Sequence, residues 1–226
     1  MLYPGYLNLY ETGELAQRAA AAWEILRSCT ICPQNCRCNR VAGKTGVCRS
    51  GTEAIVASWN VHRREEPPIS GTRGAGTIFF GYCQARCTYC QNFSLSQGGL
   101  GHRVGAERLA DMMLYLQKKR CHNLDLVTPT HFVPQILAAL VVACGKGLRL
   151  PLVYNCAGYE NLETLNLWMA SSIFISPTPS IPTINMPCAP LRCLAMSIIT
   201  RSRCAKCSGR LGRCNLTKKV SRGAVC

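Results

Sequence analysis

Alternating strand and helix signals through residues 76–168 predict an α/β fold with a parallel sheet. Two further observations agree. The connections are short, as right-handed βαβ units require, and nearly half the residues are apolar, enough to bury a substantial core. The first segment, residues 1–75, opens with a helix predicted over 14–26. Its alanines favour helix, and Leu15, Ala19, Ala22 and Leu26 share one face. A cysteine-rich loop and a strand over 54–59 complete this segment.

The second segment, 76–168, begins with a strand over 77–80 and a second cysteine loop. A helix over 106–119 carries Leu109, Met112, Met113 and Leu116 on one face. The strand over 124–127 ends in a Thr-Pro-Thr turn. The helix over 134–145 has Pro134 at its start, where proline is tolerated, and Gly145 and Gly147 at its end. A strand over 150–155 and a helix over 161–168 close the alternation. Residues 169–226 form a third segment, a basic tail rich in Ser, Pro and Cys with no further βα pattern.

The net charge of +15 suggests a nucleic-acid partner, but its distribution argues otherwise. The tail holds nine Lys and Arg and no Asp or Glu, leaving +6 on the first 168 residues. Its single aromatic, Phe174, offers no platform for stacking bases. No apolar run approaches the ~20 residues of a membrane span, and the longest, 136–144, reads as a buried helix. The N-terminus shows no basic stretch followed by an apolar one, and seventeen cysteines is an odd number. Cytoplasmic thiolate chemistry is therefore expected rather than a secreted disulfide scaffold.

Cys83, Cys87 and Cys90 stand in the run Gly-Tyr-Cys-Gln-Ala-Arg-Cys-Thr-Tyr-Cys-Gln-Asn, directly after a strand. The C-x3-C-x2-C spacing converges three thiolates, enough to hold a [4Fe–4S] cluster while leaving one iron open to a ligand. Three buried free cysteines are the plainer alternative. Upstream, Cys29, Cys32, Cys36 and Cys48 make a second set of four thiolates, a closed site suited to zinc or to a second Fe–S cluster. Cys38 is the odd member. In a parallel βα fold the strand C-terminal ends form the functional face. The three motifs that come after strands, 83–90, 128–131 and 155–158, are thus expected on one rim. His131 is a candidate substrate contact there, whereas His62, Glu65 and Glu66 read as a solvated charged turn. Cys121, Cys144 and Cys156 read as buried, and Cys204 with Cys207 as half a zinc knuckle.

These residues resemble the radical S-adenosylmethionine superfamily, whose hallmark is C-x3-C-x-aromatic-C, here with Tyr89 as the aromatic. The runs Glu-Glu-Pro-Pro-Ile-Ser-Gly (65–71), Gly-Thr-Ile-Phe-Phe (76–80), Cys-Gln-Asn-Phe (90–93), Val-Thr-Pro-Thr-His-Phe-Val-Pro (127–134) and Tyr-Asn-Cys-Ala-Gly-Tyr-Glu (154–160) are similar to its pyruvate formate-lyase activating-enzyme-like branch. The likeness covers about residues 29–167. It implies an incomplete (βα) barrel holding roughly half of the family's six units, behind a Cys-rich N-terminal segment. It also implies S-adenosylmethionine on the open iron and reductive cleavage to a 5′-deoxyadenosyl radical. Tyr89 would lie near the adenine, Thr128 and Thr130 would occupy the amino-group-binding turn, and Asn155 would reach the ribose. The implied partners are an electron donor such as flavodoxin or ferredoxin and a glycyl-radical protein. Two other readings stay open: a non-enzymatic thiolate-metal protein, and an inactive truncated chain.

Residues from about Trp168 onward read as a shifted frame. Acidic residues, βα periodicity and the family likeness all end there. Trp168 and Met169 have unique codons, so Trp-Met-Ala begins TGG ATG GC, and dropping two bases gives Asp-Gly. The segment 169–226 is therefore expected to be poorly ordered.

Overall fold

A computed structural model describes residues 4–169 and 174–177. Helix α1 spans Gly5–Glu11, and α2, Glu14–Ile25, runs into a 3-10 turn at Leu26–Ser28. Strand β1 (Ala54–His62), the short helix α3 (Pro67–Ser70) and β2 (Ala75–Phe80) come next. Beyond the second cysteine loop lie α4 (Phe93–Ser96), β3 (His102–Val104), α5 (Ala106–Lys118) and β4 (Leu124–Val127). A 3-10 turn at Thr130–Phe132 leads into α6 (Val133–Gly145), then β5 (Leu152–Cys156), α7 (Leu162–Trp168) and β6 (Phe174–Pro177).

The strands form one sheet in the order β3-β1-β2-β4-β5-β6. Strands β2, β4, β5 and β6 are parallel neighbours in the sheet, while β1 runs antiparallel to both β2 and β3. The α/β class and the parallel sheet match the sequence expectation. Two features do not. The N-terminal strand joins the same sheet, and the tail contributes β6, although the sequence predicts no element after residue 168. The expectations for residues 178–226, including Cys204, Cys207 and the changed frame, lie outside the described residues.

Side-chain alternation divides the sheet into two faces. Ile78, Phe80, Leu124, Leu126, Leu152 and Tyr154 pack beneath a helix layer made by α2, α5, α6 and α7. Helix α6 is apolar nearly all round, and most of its residues are buried, as a helix packed on several sides must be. Gly76 allows the close approach: a Cβ there would lie 3.0 Å from the Leu116 Cβ of α5 and from the Asn123 carbonyl. On the opposite face Ala75 and Val153 pack with Ile69 of α3.

A single core runs from Tyr6 in α1 to Trp168 in α7. The Tyr6 hydroxyl donates to the Leu150 carbonyl at 2.7 Å, tying the first helix to the loop before β5. The boundary expected at residue 75 therefore separates no two cores. Among the described residues no helix is long and apolar enough to cross a membrane.

Candidate functional site

Register fixes where the motifs meet. Phe79 pairs with Val127, and Val127 with Asn155, so β2, β4 and β5 end together. The residues just beyond them, 81–92, 128–131 and 156–160, share that edge.

The cysteine loop leaves β2 at Gly81, whose N–H donates to the Ile55 carbonyl at 2.8 Å. A Cβ on Gly81 would lie 2.6 Å from Ile55 Cγ2, so β1 packs hard against this exit. Tyr82 (φ 57°) and Arg86 (φ 45°) then adopt left-handed backbone and coil the loop. Helix α4 braces it: the Tyr82 N–H donates to the Leu95 carbonyl, Gln97 Nε2 to the Cys87 carbonyl at 3.0 Å, and Ser96 Oγ to Cys90 Sγ at 3.2 Å. Cys83 is buried; Cys87 and Cys90 are half-buried. Burial raises the Cys83 thiol, the backbone N–H groups of Ala85 and Arg86 oppose that, and the neighbouring Cys87 and Cys90 sulfurs add to it.

This donor set fits a cluster with an open iron. The Cys87 and Cys90 sulfurs act on Cys83, backbone donors point at it, and no Asp or Glu occurs in residues 81–97. Among the described residues no three Cys, His, Asp or Glu side chains stand in an ion-holding arrangement. Tyr89 is 53% exposed beside the last cysteine, and Phe93 is 57% exposed.

Thr128 ends β4 in left-handed backbone (φ 53°), which a β-branched residue rarely adopts. Its N–H donates to the Asn155 carbonyl at 2.8 Å, joining two strand ends. Thr130 is fully buried, and its hydroxyl donates to Glu160 at 2.6 Å. Tyr154 donates to the other Glu160 oxygen at 3.0 Å. Thr130 therefore supports the edge from beneath. Asn155 is half-buried, its side chain acting on the enclosed Asp125 carboxyl. His131 is not available as a substrate contact: it is buried, bonded through Nε2 to the Gly81 carbonyl at 3.0 Å, and pushed down to about 3 by burial. Glu65 is not fully solvated either, since it lies 3.1 Å from His62 Nδ1 and acts on Asp125.

The N-terminal cysteine loop lies on the same edge. Gln34 Nε2 donates to the Gln84 carbonyl at 3.0 Å and Arg86 to the Val47 carbonyl at 3.2 Å. Asn161 and Thr164 each donate at 2.7 Å to the Thr30 and Ile31 carbonyls. Cys29, Cys32 and Cys48 are buried. Burial pushes the Cys32 thiol up to about 12, with Cys48, Cys29 and Cys36 contributing. Cys38, the odd member by spacing, is close as well, acting with Cys29, Cys36 and Cys48.

Sequence reasoning missed Glu160, Asp125 and Arg40. The local pattern around each gives no sign of its burial. No protein-family model matches the chain, and no solved structure matches it. An uncharacterized protein of Methanocaldococcus jannaschii is 26% identical over 151 residues, which is 65% of this chain and 43% of that relative. The match thus spans less than half the relative's length.

Proposed function

We propose that this chain carries the cluster-binding half of a radical S-adenosylmethionine enzyme related to the glycyl-radical activating enzymes. The observation that supports this reading is the shared edge: the C-x3-C-x2-C loop, Thr128 and Asn155 lie at the ends of three parallel strands that neighbour one another in the sheet. Crossover helices confined to one face also suit a barrel segment better than a doubly wound sheet, which has helices on both faces.

Cys83, Cys87 and Cys90 would hold a [4Fe–4S] cluster. When bound, it supplies the electron that splits S-adenosylmethionine into methionine and a 5′-deoxyadenosyl radical. The exposed Tyr89 ring would cover an adenine, and Thr128 and Asn155 would stand beside it at the ends of β4 and β5. The buried Thr130–Glu160–Tyr154 bonds keep the β4 and β5 ends fixed relative to each other. An electron donor of the flavodoxin or ferredoxin type and a glycyl-radical protein as substrate belong to the same proposal.

Anaerobic reconstitution of the full chain tests it. We expect about four iron and four sulfide per chain at this site, lost in the Cys83/Cys87/Cys90→Ala triple variant. Adding S-adenosylmethionine and a strong reductant should yield 5′-deoxyadenosine. Undiminished iron and sulfide in the triple variant would end the assignment. A cluster that forms without 5′-deoxyadenosine would instead favour a thiolate-metal protein that only carries electrons.

A further inference from the structure

The loop over residues 29–48 is built around its sulfurs. The Cys29 N–H donates to the Cys38 carbonyl at 3.0 Å and the Arg37 N–H returns to the Cys29 carbonyl at 2.9 Å, closing a tight ribbon. The Asn35 N–H turns back to the Cys32 carbonyl at 3.0 Å. Asn35 (φ 45°), Arg37 (φ 50°) and Arg49 (φ 49°) adopt the left-handed backbone that such reversals need. Gly46 has to be glycine: a Cβ there would lie 2.6 Å from Cys36 Sγ and 3.3 Å from Cys38 Sγ. The adjacent Val47 N–H donates to Cys36 Sγ at 3.4 Å.

Arg40 provides an independent observation. Only 1% exposed, it donates to the Gly51 carbonyl through Nε at 3.1 Å and through a terminal nitrogen at 2.6 Å. Its other terminal nitrogen donates to the His131 carbonyl at 2.8 Å and lies 4.0 Å from Cys29 Sγ. Among the described residues no carboxylate pairs with it. A buried guanidinium without an anion is costly, because low-dielectric surroundings penalise an unbalanced charge. The sulfurs of Cys29 and Cys38 are the groups near it that can become anionic. Four thiolates around a divalent ion carry a net double negative charge, which would supply the missing partner.

We propose that Cys29, Cys32, Cys36 and Cys48 form a closed tetrathiolate site for one divalent metal ion of the zinc class, with Arg40 as its buried counter-charge. The site requires nothing of the radical chemistry proposed above. Cys38 lies against the same glycine without being a ligand. The ion would lock the loop whose carbonyls receive Asn161, Thr164 and Arg86, and so stiffen the edge that carries Cys83.

The test uses the full reduced chain, freed of metal by chelation and titrated with cobalt(II) and zinc(II) under anaerobic conditions. One cobalt per chain should give the intense sulfur-to-metal absorption of a tetrathiolate, displaced by zinc. The Cys83/Cys87/Cys90→Ala variant and Cys38→Ala should keep that spectrum, and Cys32→Ala should lose it. Arg40→Met should weaken zinc binding by about 10- to 100-fold, as loss of a group supporting metal ligands does, while Arg40→Lys keeps affinity closer to that of the parent. Retention of the tetrathiolate spectrum in Cys32→Ala overturns the ligand set. Equal zinc affinity in folded Arg40→Met overturns the counter-charge. Iron with acid-labile sulfide at these cysteines, in the Cys83/Cys87/Cys90→Ala variant and in place of zinc, overturns the single-ion site. Should Arg40→Met fail to fold, the cysteine variants and Arg40→Lys still decide.

Discussion

Asp125 and Glu160 are carboxyls that this fold encloses. Burial drives Asp125 up to about 7, helped by Glu65 and Glu66 and opposed by the Asn155 side chain. Glu160 also rises to about 7 through burial, against hydrogen bonds from Thr130, Tyr154 and Cys156. Both values lie above those of an unfolded chain, so between about pH 4 and 7 the folded state holds protons that the unfolded state releases. Stability is therefore fullest at the acid end of that window and falls as pH rises through it. Asp125→Asn removes one of the two causes. It should flatten the decline and raise stability at pH 8 by about 1 kcal/mol or more, with little change near pH 4. Urea unfolding at the two pH values measures this, and an equal effect at both would rule out a titration origin. Neither burial is legible in the sequence. Asp125 sits in an apolar run, Leu-Asp-Leu-Val, that does not reveal which face is covered. Arg40 is explained only by contacts such as the His131 carbonyl, 91 residues away. The cysteines are legible because ligand spacing is a local property.

Among the elements, length decides what can be read. Helix α5 begins where the apolar face predicts and ends one residue earlier, because its thirteen residues carry a full periodic pattern, and β4 has the expected bounds because the Thr-Pro-Thr turn marks its end. Helices α3 and α4 and strand β3 span three or four residues, too few for any period to register. Strand β1 is visible, but alternation along a strand does not encode its direction, so its antiparallel place beside β2 is not. That pairing matters at Gly81, where β1, β2 and the cysteine loop meet. An added methyl there would meet Ile55 Cγ2 at 2.6 Å and the Leu100 carbonyl at 3.0 Å. Gly81→Ala should cost about 1–3 kcal/mol by overpacking and tilt the loop away from β1. We expect reconstituted iron to fall in proportion, while zinc bound by the N-terminal cysteines stays unchanged. Parent-level iron in a destabilised Gly81→Ala chain would show that the loop does not depend on this contact.

At the scale of the whole molecule, one packed core runs through the described chain despite two cysteine loops and a change of strand direction. Its core joins α1 and α2 to α6 and α7, and Arg18 of α2 reaches the Asn166 and Leu167 carbonyls at the end of α7 at 3.3 and 3.2 Å. The sequence suggests a separable N-terminal segment because the cysteines and composition of residues 1–75 differ from those of residues 76–168. The difference is chemical rather than structural: β1 is an interior strand of the sheet, and removing it would expose one side of β2. Two tryptophans report on the two ends. Trp23 packs with Leu26, Cys29 and Ile31 beside the N-terminal loop, and Trp168 is buried against Tyr154 with ring centroids 5.2 Å apart. With fluorotryptophan incorporated into the parent chain, the fluorine resonances of Trp23 and Trp168 should change in urea with coincident midpoints and equal slopes, as a two-state domain requires. A Trp23 transition clearly earlier than that of Trp168 would mean that residues 1–75 form their own unit. The hydrogen bonds from Asn161 and Thr164 to the N-terminal loop would then be too weak to couple it to the sheet.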